Sequence, residues 1–113
     1  MSDLFDRLVE DYFEADAELL PDGALEKIKA GQTIEIVTVK GANQLDIATT
    51  VELLTAVFSL IAAIMPLLPK KSDADIRQQA KEIIKKKYSS IGTALSDDEL
   101  ESFVNDIVQG GRE

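Results

Sequence analysis

The side chains of this sequence that could do chemistry are carboxylates. Asp73-x-Asp75 and Asp97-Asp98-x-x-Glu101 are the groupings that could offer oxygen ligands to Mg²⁺ or Ca²⁺. An acid-only hydrolase would instead need two carboxylates in a pocket with separated pKa values. Neither grouping has the alternating ligands and central glycine of a calcium loop. Both stand where helices are expected to begin, and a carboxylate in a first helical turn is stabilised by the helix dipole, so capping accounts for them. The chain contains no His and no Cys. That removes thiolate nucleophiles, histidine-based triads, disulfides and the usual zinc and haem ligand sets. Gly110-Gly111 has no strand before it and no helix after it, so it is read as the end of the last helix rather than a phosphate-binding loop. The expectation is a protein that is not an enzyme and has no cofactor and no metal.

Charge narrows the partners. The 113 residues carry 12 basic and 21 acidic side chains, a net charge of -9 that repels phosphate backbones, so nucleic acid is not expected as a ligand. At 45% hydrophobic residues the chain is too apolar for a disordered acidic tail. The charges are also segregated: residues 1–40 hold ten acids and four bases, 41–69 only Asp46 and Glu52, 70–90 seven bases and three acids, and 91–113 six acids and one base. A nearly uncharged segment thus separates an acidic arm from a basic one.

The elements that must position these residues follow from periodicity. Leu4, Phe5, Leu8, Val9, Tyr12 and Phe13 recur at three- and four-residue steps and predict an amphipathic helix starting at Ser2 or Asp3, with an acidic outer face. Leu19-Leu20-Pro21-Asp22-Gly23 breaks that pattern, and a short helix over about 23–29 follows, so residues 1–30 form an acidic helical arm. Residues 33–40 are β-branched and bounded by Gly31 and Gly41, and they read as one short strand. A lone strand cannot satisfy its own backbone groups. Either a weaker second strand or a loop resolves this, or Ile34, Ile36, Val37 and Val39 lie on an edge that pairs with another chain. Residues 72–88 read as a basic amphipathic helix with Ser72 at its start, 89–95 as a connection, and 96–108 as a C-terminal helix opened by the capping box Ser96-x-x-Glu99.

Residues 44–68 form the apolar helix that decides the reading, since Leu53 to Leu68 contain no charge. Val51, Leu54, Phe58, Ile61 and Met65 follow the alternating steps of a helix–helix seam. Leu53, Val57, Leu60, Ile64 and Leu67 make a second apolar face, and Glu52, Thr55, Ser59 and Ala62 or Ala63 a small or polar third side. A helix apolar over most of its circumference must be enclosed, by the rest of its own chain, by a partner, or by a membrane. The apolar stretch is shorter than the roughly 20 residues of a usual span unless it extends back past Glu52 to Ile47, and the basic residues after Pro69 would suit a cytoplasmic C-terminal side. No signal peptide is expected.

The fold class expected is mainly α, a small single domain of four to five helices with one short strand and a central apolar helix. The function expected is a non-enzymatic interaction, adaptor or assembly module, a homo-oligomer or the binder of a protein partner, in the cytoplasm. Its contact seam would be Val51, Leu54, Phe58, Ile61 and Met65, with the strand edge beside it. One alternative is a small membrane-active protein that inserts the apolar helix, with Lys70, Lys71, Lys85, Lys86 and Lys87 meeting lipid headgroups or an acidic partner. The other is an acidic inhibitor that covers a basic partner surface.

Overall fold

The computed structural model describes residues 2–18, 20, 23–32 and 44–112, and the described chain is mainly helical. Seven α-helices and one 3-10 turn make up its order: α1 (Ser2–Tyr12), α2 (Glu14–Glu18), α3 (Ala24–Lys29), α4 (Gln44–Ile64), the 3-10 turn Met65–Leu67, α5 (Asp73–Lys87), α6 (Ser89–Ala94) and α7 (Asp97–Arg112). No strand occurs among the described residues. The expected strand at 33–40, with Ile34, Ile36, Val37 and Val39, lies outside them.

Local chemistry explains most boundaries. Ser72 caps α5, its hydroxyl accepting from the Asp75 amide at 3.3 Å, while Asp73 and Asp75 occupy the first turn and Lys85, Lys86 and Lys87 the last. This is the arrangement that the helix dipole favours at both ends. At the start of α7 the Ser96 hydroxyl accepts from the Glu99 amide (3.2 Å) and the Glu99 carboxylate accepts from the Ser96 amide (3.1 Å). The capping box is therefore closed in both directions. Pro66 has no amide hydrogen to continue the α ladder, and α4 tightens there into the 3-10 turn.

Helix α4 is the post of the fold and packs against α1, α3, α5 and α6. Its Leu54, Val57, Leu60, Ile61 and Ile64 are fully buried, in one cluster with Phe5 and Leu8 of α1, Ile28 of α3, Ile76 and Ile84 of α5, Ile91 of α6 and Phe103, Val104 and Ile107 of α7. Phe5 meets Phe58 edge to face at 5.3 Å between ring centres. No buried side-chain polar atom among the described residues lacks a hydrogen-bond partner.

Three expectations are corrected. The described residues hold seven α-helices where four to five are expected, because the first helix breaks at Phe13 into α1 and α2 and α6 is added. Residues 89–94 form α6 rather than a connection, because Ile91 is drawn fully into the core between α4 and α5. The C-terminal helix also runs through Gly110 and Gly111 to Arg112 instead of ending near Val108. A Cβ on Gly110 would come within 2.5 Å of Leu4 Cδ1, and one on Gly111 would overlap Leu68 Cδ1. The glycines thus let α7 closely approach α1 and the 3-10 turn that follows α4. Arg112 then fixes the last turn through Asp73 Oδ1 (2.6 Å) and the Lys71 carbonyl (3.3 Å).

Candidate functional site

The seam expected on α4 is divided by the fold. Leu54 and Ile61 are fully buried within the chain, so their role as contact residues for a partner is corrected: they hold the monomer together. Val51, Phe58 and Met65, each seven residues from the next, are half-buried. At about 100° per residue they sit at one edge of an arc that continues through Ala62, Thr55, Ser59 and Glu52 to Ala63. Thr55, Ala62, Ala63 and Glu52 are exposed and Ser59 is half-buried, so this side of α4 is open among the described residues. Glu52 is the single charge along it. The stretch Ala48–Leu67 is long and apolar enough to cross a membrane, and 44% of its most apolar window is buried within the chain.

One flank of this open side is polar. Glu52, Thr55 and Ser59 share a shallow cavity of about 320 Å³ with Lys87, Tyr88 and Ser90, at the junction of α5 and α6. The five lysines singled out from the sequence do not form one patch. Lys70 and Lys71 precede α5 while Lys85, Lys86 and Lys87 end it, so the two groups stand about 20 Å apart along that helix. Lys71 donates to the Gln79 side chain at 2.9 Å. Lys85, Lys86 and Lys87 are exposed, and no carboxylate among the described residues pairs with them.

A second surface lies on the acidic arm. Asp6, Val9 and Glu10 of α1, Glu14, Ala17 and Glu18 of α2, and Leu25 and Glu26 of α3 line a groove of about 400 Å³. Its floor is apolar and its walls are carboxylates. Of the lining carboxylates, Asp6 is ion-paired with Lys29 at 3.0 Å. The four-residue spacing of Asp6, Glu10, Glu14 and Glu18 is visible in the sequence, but the floor is not, because it needs α3 folded back beside α1 and α2.

No protein-family model, curated protein or solved structure matches the chain. Function has to be argued from these surfaces. No group of three or more acids among the described residues is placed to hold a metal ion. Asp73 pairs with Arg112, Glu99 accepts from the Ser96 amide, and Asp97 lies in the first turn of α7.

Among the described residues, the one titrating group with a clear shift fastens α1 to α7. The Tyr12 hydroxyl donates to Asp106 Oδ2 at 2.6 Å and shares a 2.7 Å hydrogen bond with the Ser102 hydroxyl. Burial, followed by the hydrogen bond to Asp106, raises its pKa above the ordinary 10.0, and the bond with Ser102 acts in the opposite direction. The native chain therefore keeps this proton at a pH where the unfolded chain has lost it. The stability that Tyr12 contributes is present below pH 10.0 and is lost as pH rises through the native value. Tyr12→Phe is expected to cost about 1 kcal/mol near neutral pH and to flatten the alkaline fall in stability. Urea unfolding of both proteins at neutral pH and above pH 10.0 reads this directly.

Proposed function

We propose that this chain is a non-enzymatic protein–protein interaction module that self-associates through the open side of α4. The supporting observation is that a helix with no charge from Leu53 to Leu68 keeps Val51, Phe58 and Met65 only half-covered, beside the exposed Ala62 and Ala63. Covering an apolar side chain fully is worth roughly 1.5 to 3 kcal/mol, and completing the burial of three such residues drives association. The small residues beside them let a second helix approach closely.

Because the contact is apolar and both copies carry -9, association should hold or strengthen as salt is added. The expected result is a light-scattering mass above that of the monomer. Ala62→Glu should return it to the monomer mass with an unchanged circular dichroism spectrum. A monomer mass for the unaltered protein at every concentration and salt sinks the proposal.

A second reading is favoured by one observation, the 20-residue length of the apolar stretch Ala48–Leu67, with Lys70 and Lys71 just beyond it. Insertion in a membrane would have to strip Leu54, Leu60, Ile61 and Ile64 from a core they fully occupy, which is why it stands second. Partition into liposomes without loss of helicity would favour it over self-association.

A further inference from the structure

The groove on the acidic arm is built from other residues than the open side of α4, and its argument is independent of that reading. Helices α1 and α2 are nearly one rod. The Phe13 amide donates to the Val9 carbonyl (2.8 Å) and the Ala17 amide to the Phe13 carbonyl (2.9 Å), so the helical register crosses the break. Asp6, Glu10, Glu14 and Glu18 therefore follow one another at four-residue steps along a single ridge. Like charges at that spacing repel and weaken the helix that carries them. Only Asp6 among them has an ion-pair partner among the described residues, Lys29. Beside the ridge runs the apolar floor, where Val9 is buried and Ala17 and Leu25 are half-exposed.

We propose that this groove docks a basic amphipathic helix of a protein partner. Charge complementarity selects its sign, and the net charge of -9 steers a cation toward the surface. Spacing selects its form: Lys or Arg at every fourth residue of a helix recurs at about 6 Å, the repeat of the ridge. The floor selects its amphipathic character, since Ala17 and Leu25 are covered by apolar side chains and not by small cations. Phosphate polymers and anionic lipid surfaces are repelled. A second copy of this chain fits poorly: its α5 carries Arg77, Lys81 and Lys85 at four-residue steps, but Arg77 donates to Asn105, Lys81 is held by Glu101, and the apolar residues of that helix, Ile76, Ala80 and Ile84, are fully buried in their own core.

The test uses the full chain and a labelled peptide of about 18 residues, five helical turns, with lysines at four-residue steps along one edge of a leucine stripe. The control is the same composition permuted so that no stripe forms. At about 150 mM salt, where long-range attraction is screened, the patterned peptide should bind at least tenfold more tightly than the permuted one and shift the NMR amide signals of Val9, Ala17 and Leu25. The triple variant Glu10→Gln, Glu14→Gln, Glu18→Gln relieves repulsion and so keeps its fold. It should bind the patterned peptide about tenfold more weakly, as the loss of three exposed charge pairs implies. Ala62→Glu should leave this binding unchanged. Equal binding of both peptides, an unaffected triple variant, or shifts confined to other helices overturns the proposal. Self-association that disappears in the triple variant would assign the groove to a second copy and overturn it as well.

Discussion

Ile61→Asp is expected to unfold the domain, whereas Ala62→Glu, one residue along the same helix, should leave its stability within about 0.5 kcal/mol. Ile61 is fully buried in the central cluster and Ala62 is exposed. Replacing Ile61 forfeits roughly 1.5 to 3 kcal/mol of apolar burial. It also places a carboxylate where no cation of α1, α5 or α7 is buried to meet it, at a cost of several kcal/mol more. A domain of this size is held together by about 5 to 15 kcal/mol in all, so the sum removes most or all of it. Part of the helical signal should return at acid pH, where the buried carboxyl is neutral. Circular dichroism melts of the two variants side by side decide the matter. An Ile61→Asp protein that stays folded and only loses an assembly would place Ile61 between molecules instead of inside one.

The contrast between these neighbours marks how far the sequence could be read. Periodicity located α1 and α5 because their apolar residues repeat on one face, and Ser72 and Ser96 located two helix starts because the capping bonds are local. The period of α4 could not separate Leu54 and Ile61 from Val51, Phe58 and Met65. All five lie within one side of the helix, and only the placement of α1, α5 and α6 against α4 decides which row is covered. Helix α6 was illegible for a related reason: with Ile91 as its one large apolar residue it has no period, and its conformation follows from a tertiary contact. At Gly110 and Gly111 the local stopping signal is outweighed by close packing on Leu4 and Leu68. The acidic ridge could be seen as spacing, but the groove beside it depends on Leu25 arriving from another helix.

That dependence on distant contacts makes Phe103→Ala the second large effect, an expected loss of about 3 to 5 kcal/mol. Phe103 of α7 is fully buried and meets two rings of the acidic arm edge to face, Tyr12 at 5.5 Å and Phe13 at 5.9 Å. Each such pair adds about 0.5 to 1.5 kcal/mol beyond the area it buries. Truncation leaves a cavity between α1 and α7 and removes the surface against which the Tyr12 ring is held for its bond to Asp106. At about 4 °C per kcal/mol for a domain near this length, the melting temperature should fall by roughly 12 to 20 °C. Phe103→Leu, which refills most of the volume, should cost markedly less. A double-mutant cycle with Tyr12→Ala separates the ring contact from the cavity: the expected coupling is about 0.5 to 1.5 kcal/mol. A coupling near zero with an undiminished loss in Phe103→Ala would mean that the rings fill space without joining α1 to α7. The anchor of the acidic arm would then have to be sought in the packing of Leu4 and Leu8.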